Sequence, residues 1–392
     1  MLRRVRFENN MATGVNQNGS GGALSANTSF DNLPFVVIED CNFVANESGS
    51  SGGAIAMSGL PNSFGGLVTI RRSTFSANQA GGEGGAALYI AGSSIELQIE
   101  DSVFDSNVGT GNNASAGGAI KLQQVRSSKV LRSVFSSNSG VGGAAFRSDN
   151  NPVQLLDSRF VGNTSGYGGG ALWIGSDSLV DQSTFDANRV LSNDPADRGG
   201  GAIWFSGVNL DVMRSTFSNN NALRGGAITV NTATRLRIFG STFVAPSFVA
   251  VGTQGTVLRI LDDIVGHSLI VANSIFRGSC TFPSAGRILN AARGNIESPG
   301  STCRFDTATA NGQNQLSATL AQINLGSLGD NGGPTPTRLP GPTSIAINQG
   351  SELYCLVTDQ RHFARTDAFC DVGAVEVGAI ADRIFQSGFD PP

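Results

Sequence analysis

Short apolar segments recur along the chain and are separated by turns rich in glycine, serine and asparagine. Two words alternate: apolar-x-x-Ser-x-Phe-x-x-Asn and, after a loop, Gly-Gly-Ala-apolar. Repetition at intervals of 25 to 36 residues indicates a solenoid, a propeller or an array. The first word is anchored by Phe7, Phe43, Phe75, Phe104, Phe135, Phe160, Phe185, Phe217, Phe243 and Phe276.

The two words are too short, too β-branched and too often interrupted by glycine to form the helices of a helical solenoid. A propeller blade needs about 40–45 residues for its four strands. We therefore predict an all-β fold, a right-handed single-stranded parallel β-helix similar to pectin-lyase-like solenoids. Each repeat would form one coil of two or three short strands, and equivalent residues would stack about 4.8 Å apart.

When the coils stack, residues at equivalent positions of the repeats would form columns of identical side chains. Phenylalanine would fill the interior, and the asparagine three residues later would accept left-handed backbone and form an amide ladder. The serine two residues before each phenylalanine would form a column of small side chains. Cys41 stands in that column in the second repeat, which indicates a packing role rather than a catalytic thiol.

The composition of the chain excludes some classes of function. Charged residues make up 14% of the chain, the net charge is −4 and the isoelectric point is about 5.3, so a nucleic-acid partner is not expected. No run of 18 apolar residues is present, so no transmembrane segment is expected. We divide the chain into coils over 1–250, degenerate terminal coils over 251–305, a C-terminal region over 306–376 and a tail over 377–392.

The alternating words over residues 1–245 resemble the repeat of the polymorphic outer-membrane proteins, which are surface adhesins with β-helical passengers. A second resemblance, to the choice-of-anchor Q domain of exported bacterial β-helix proteins, rests on the segments 295–303, 330–337, 358–361 and 370–376. This chain departs from that family at His362, where the family shows glycine, and in the word at 345–350. The resemblance implies a loop-rich cap on the open end of the solenoid.

The spacing of the cysteines favours disulfide bonds, which are typical of exported proteins. We expect the disulfides Cys280–Cys303 and Cys355–Cys370 within the cap; zinc is the alternative, although no C-x₂-C spacing is present. No cofactor and no metal are expected. The tail resembles an Ile-Phe-x-x-Gly-Phe ending of exported Gram-negative proteins.

Candidate catalytic residues are few. Asp262, Asp263 and His267 faintly resemble the acidic and Gly-His words of polygalacturonases, but those words stand on different coils in that family. A turn carrying solvated acids is the alternative for this segment. The polar cluster around Asp359, Arg361 and His362 indicates an ion-paired cap loop rather than a site.

One external column points to ligand binding. The position three residues after the Gly-Gly pair is occupied in four repeats by Lys121, Phe146, Trp173 and Trp204. If the preceding residues point inward, these side chains form an external aromatic strip for glycan or a host or cell-surface protein. The alternative is that an inserted loop, residues 187–199, covers the strip.

The sequence therefore predicts an exported or cell-surface protein, located extracellularly or on the outer membrane, that is adhesin-like or structural and not an enzyme. The alternative is a pectin-lyase-like carbohydrate-active enzyme, either a polysaccharide lyase or a glycoside hydrolase. The first repeat begins directly at the N-terminus without a signal peptide, so we expect an N-terminally truncated solenoid or a mis-assigned start. A cytoplasmic protein is the alternative, which the paired cysteines disfavour.

Overall fold

The computed structural model describes residues 1–14, 20–28, 35–59, 66–111, 116–192, 198–247, 255–261, 267–283, 291–305, 314–365 and 369–381. Within these ranges the fold is almost entirely β, and four parallel sheets run along a stack of coils. This confirms the predicted parallel β-helix. No helix of the described residues is both long and apolar enough to cross a membrane.

Each complete coil passes through the four sheets in order, one strand per sheet, so most coils have four strands rather than the expected two or three. The additional strand is a short one between the asparagine and the Gly-Gly pair. Sheet 1 contains Leu2–Arg3, Phe35–Glu39, Gly66–Arg71, Ile95–Glu100, Ser127–Leu131, Val153–Leu156, Ser178–Asp181, Asn209–Met213, Arg235–Phe239, Ser268–Ala272 and Ala291–Arg293. Sheet 2 contains Arg6–Glu8, Asn42–Val44, Thr74–Ser76, Val103–Asp105, Val134–Ser136, Arg159–Val161, Thr184–Asp186, Thr216–Ser218, Thr242–Val244, Ile275–Arg277 and Ile296–Ser298.

The other two sheets complete the coils, and the C-terminal region adds small elements. Sheet 3 contains Met11–Ala12, Glu47–Ser48, Gln79–Ala80, Val108–Gly109, Ser139–Gly142, Thr164–Gly168 and Arg189–Val190. Sheet 4 contains Leu24–Thr28, Ile55–Gly59, Leu88–Ala91, Ile120–Gln123, Phe146–Ser148, Leu172–Ile174, Ile203–Phe205, Ile228–Val230, Leu258–Ile260 and Cys280–Thr281. The C-terminal region contains the helix Leu320–Ile323, the 3₁₀ turn Glu352–Tyr354 and the antiparallel pairs Leu325–Gly329 with Thr337–Pro340 and Phe363–Ala364 with Ile380–Ala381.

The ten predicted phenylalanines form one continuous column inside the solenoid. Neighbouring rings have centroids 4.7–4.9 Å apart and planes within 16° of parallel. At the C-terminal end the edge of Phe305 meets Phe276 at 65° and 5.2 Å, which ends the stack. Since burying one such ring contributes about 1.5–3 kcal/mol, this column is a major apolar term of the fold.

The predicted asparagine ladder is also present, running from Asn10 to Asn220. Each amide nitrogen donates to the amide oxygen of the next coil at 2.8–2.9 Å, and that oxygen also accepts the backbone N–H of the asparagine before it. The left-handed residue is the one before the asparagine, such as Ala77 at φ 54°, and not the asparagine itself. The left-handed residue makes the chain turn so that the following asparagine amide points inward. Its backbone conformation costs roughly 1–2 kcal/mol, and the buried hydrogen bonds of the amide offset this cost.

The serine column forms a second ladder. Each hydroxyl donates to a carbonyl of its own coil and accepts a backbone N–H from the coil before, as Ser102 does with Glu100 at 2.7 Å and Ser73 at 3.2 Å. Cys41 is fully buried at the equivalent position, and its backbone N–H donates to Ser73 at 3.1 Å. Its place in the packing agrees with the prediction.

The C-terminal region covers the last coil and also folds back along the outside of sheet 2. Ile323, Ala346 and Val372 pack against the final strands, as expected of a cap. In addition, Gln360 donates to Thr184 at 2.8 Å and accepts from Thr216 at 2.6 Å, which are outward residues of earlier coils. The sequence predicts the cap but not this lateral clamp.

Both predicted disulfides are present. The Cα atoms are 4.8 Å apart in Cys280–Cys303 and 5.9 Å apart in Cys355–Cys370, within the usual range for a disulfide. The first bridge joins the last strand of sheet 4 to the end of the coils. The second closes the loop whose residues clamp sheet 2.

We predict that Asn138→Ala lowers the free energy of unfolding by about 2–4 kcal/mol, because the deletion leaves buried donors of Asn107 without their acceptor. Urea titration followed by circular dichroism measures the change. The matched control is Asn150→Ala, which removes an exposed amide outside the ladder. Equal midpoints for the two variants would show that the ladder does not stabilise the fold.

Candidate functional site

The outward column of sheet 4 contains three of the four residues predicted for the external strip. Register pairing joins Lys121 to Arg147, Arg147 to Trp173, and Trp173 to Trp204 on successive strands. The residue before each of these four points into the interior, where it is fully buried. We call this column, together with Tyr167, Arg198 and Asp149 beside it, the cation–aromatic strip.

The prediction for Phe146 is wrong. Phe146 pairs with Ile120 and Leu172, is fully buried and belongs to the interior column. Its copy of the word carries a second alanine, Ala145, which moves every following residue by one position and therefore to the opposite face. Arg147 takes the outward position instead, and the doubled alanine is the signal that could have identified it.

The two tryptophans are covered rather than exposed. Trp173 and Trp204 retain 7% and 2% exposure. The Arg147 guanidinium lies 4.4 Å from the Trp173 ring, and that of Arg198 lies 5.2 Å and 5.3 Å from the two indoles. Arg198 belongs to the segment 187–199 considered as a cover, of which 193–197 lie outside the described residues. Cation–π contacts of this kind contribute roughly 0.5–2 kcal/mol each.

The other end of the strip is charged and buried. Lys121, with 1% of its side chain exposed, forms an ion pair with Asp149, and Arg147 binds the second oxygen of that carboxylate at 2.8 Å. Burial lowers the pKa of both Lys121 and Arg147, and the repulsion from Arg147 lowers the pKa of Lys121 further. The nearby Glu83 acts in the opposite direction on both pKa values. One carboxylate thus holds two desolvated cations.

A polar groove of about 380 Å³ crosses the outward face of sheet 1. Its floor consists of consecutive register partners from five coils: Gln98, Lys129, Gln154, Leu179 and Asp211. Polar side chains with amide, ammonium and carboxylate groups thus follow one another on successive coils along an open face. This groove was not predicted from the sequence, because its residues follow no repeated word.

Charges within the groove are unevenly paired. Asp211 accepts from Arg237 at 2.7 Å, and Asn209 donates to Asp177 at 2.8 Å. Lys129, at the centre of the floor, forms no hydrogen bond or ion pair with a described residue. The groove therefore presents the Lys129 ammonium between the amides of Gln98 and Gln154.

The weak catalytic candidates stay a prediction that the structure does not test. Asp262 and Asp263 lie outside the described residues, and His267 is half-buried. Among the residues that the structure describes, no three His, Cys, Asp or Glu side chains form a group that could hold a metal ion. The cap cluster is ion-paired as predicted: Arg361 binds Asp359 at 2.7 Å, and both are buried.

Comparison with known proteins gives one partial similarity. The chain is 36% identical over 128 residues to the probable autotransporter YfaL of Escherichia coli (strain K12). This similarity covers 28% of this chain and 10% of that protein, so the chain matches only a small part of its relative's length. No family model matches the chain, and no solved structure matches it significantly.

We predict that Arg198→Ala shifts tryptophan emission to longer wavelength and increases quenching by acrylamide, because the cation that covers both indoles is removed. Trp173 and Trp204 are the two tryptophans of the chain, so their fluorescence reports directly on the strip. The control is Arg126→Ala, which removes a guanidinium that is two-thirds exposed beside sheet 1. Identical quenching of Arg198→Ala and the unmodified chain would contradict the described cover.

Proposed function

We propose that the chain is an exported, cell-surface β-helix protein that is adhesin-like or structural and works by binding rather than by catalysis. The observation that carries the proposal is the uninterrupted stacking of successive coils, in which the repeated phenylalanines pack the interior and the repeated asparagines form ladder hydrogen bonds. Two disulfides and the partial similarity to a probable autotransporter support an extracellular location.

The finer assignments belong to the same proposal. The Phe-x-x-Asn and Gly-Gly-Ala words are those of polymorphic outer-membrane protein repeats, and the region 306–376 is a choice-of-anchor Q-like cap. The lateral clamp supports a dedicated C-terminal region, since Arg338 also binds Ser218 of sheet 2 at 2.9 Å.

The binding surface we propose is the groove on sheet 1, and its ligand is an acidic glycan. Amide side chains such as Gln98 and Gln154 can bind sugar hydroxyls, and Lys129 supplies a cation for a carboxylate or sulfate group. The cation–aromatic strip is a weaker site, because Arg198 would have to leave the indoles before a sugar ring could stack on them.

We predict that protease added to intact native cells cleaves the chain, because a surface protein is accessible without lysis. Immunodetection of the chain, beside a cytoplasmic marker that must remain intact, measures this. A chain that is degraded only after lysis would contradict the surface location.

We predict that Lys129→Glu weakens binding of uronate-containing or sulfated glycans about tenfold or more, since a hydrogen-bonded charge pair contributes about 1.5–3 kcal/mol. Glycan arrays followed by calorimetry measure the affinity. Lys129→Arg, which keeps the charge, is the control and should retain binding. Unchanged affinity in Lys129→Glu would exclude this groove as the glycan site.

A further inference from the structure

Lys121 and Asp149 come together in an arrangement suited to a covalent reaction. They stand on neighbouring coils, 28 residues apart, and the lysine Nζ lies in direct contact with Asp149 Oδ2. The lysine side chain is almost completely enclosed and packs over the backbone of Gly85 and Gly117. A Cβ at either glycine would lie only 3.1–3.2 Å from the Cβ of Lys121, so glycine at these two positions makes room for the lysine stem.

The surroundings supply what amide formation requires. Burial favours the neutral amine of Lys121, which is the nucleophilic form, and its pKa is lowered accordingly. Arg147 Nε donates to Asp149 Oδ1 at 2.8 Å and can stabilise negative charge on that oxygen as a tetrahedral intermediate forms. Glu83 is half-buried, and its negative charge raises the pKa of both cations, so it is the acidic residue that we assign as proton carrier and test below with a variant.

From this geometry we propose that Lys121 and Asp149 form an intramolecular isopeptide bond that covalently joins two successive coils. The bond lies on sheet 4, away from the groove on sheet 1, and it does not depend on the function proposed above.

The reaction is a condensation without oxidation or reduction. A proton passes from the Lys121 ammonium to the Asp149 carboxylate, giving an amine beside a carboxylic acid. The neutral Nζ attacks Cγ, and the new N–C bond forms. Glu83 carries the second proton from Nζ to Oδ2, the C–O bond breaks, and Oδ2 departs as water. Oδ1, held by Arg147, becomes the amide oxygen.

Intact-mass spectrometry of the full, reduced chain tests the proposal. We expect the folded chain to be lighter than its sequence by one water molecule. Digestion with trypsin should give a branched peptide joining Lys121 to Asp149 and no cleavage after Lys121. A chain of full mass with a linear peptide ending at Lys121 would overturn the proposal.

Variants assign the roles. Lys121→Arg keeps the ion pair but cannot form the bond, so its mass should equal that of its sequence. Asp149→Asn should lose ammonia in place of water. The chain contains one other lysine, Lys129, and Lys129→Arg is the matched control that should still lose water. Water loss that persists in Lys121→Arg, or disappears in Lys129→Arg, would overturn the assignment.

Glu83→Gln tests the proton carrier separately. A folded Glu83→Gln chain, judged by circular dichroism, should retain its full mass, because the amide cannot exchange protons. Water loss as complete as in the unmodified chain would remove Glu83 from the mechanism.

Discussion

Hydrogen bonding between identical asparagines of adjacent coils is the interaction on which the rest of the structure depends. A buried amide offers two donors and one acceptor with two lone pairs, and an amide directly above or below matches both kinds of group. From Asn46 onward, each Asn side-chain nitrogen also donates to a Phe carbonyl of an earlier coil, as Asn138 does to Phe104 at 2.9 Å. A coil displaced by one residue would bury these groups unpaired, so the ladder fixes the register of all four sheets.

Once the register is fixed, the outward positions are free to differ from coil to coil. Sheet 1 uses this freedom to build a polar groove, sheet 2 to receive the C-terminal clamp, and sheet 4 to build the cation–aromatic strip. On sheet 2 the change is visible in the residues: Val103 is exposed where the face is open, whereas Thr216 and Thr242 are buried under the clamp. The candidate binding surfaces therefore lie on columns whose residues differ from coil to coil.

The interior could be predicted from the sequence because its columns repeat, and the structure places all ten phenylalanines and eight asparagines as the words imply. The outward sites could not, because they depend on side-chain direction and on segments distant in sequence. The single additional residue Ala145 moved Phe146 inward and brought out Arg147. Asp149 and Arg198 do not belong to the repeated sequence motifs. Only the stacking of coils brings Asp149 to Lys121 and Arg198 to the tryptophans.

The most direct test of the stacked register is the deletion of one whole coil. Removing residues 41–72 joins Asp40 to Ser73, so Ser73 takes the position of Cys41 and every column continues unbroken. We expect this chain to unfold cooperatively in urea with a midpoint close to that of the full chain. Removing 42–72 instead leaves one additional residue before Phe75 and should lower the midpoint clearly. Equal stability of the two deletions would contradict the stacked register.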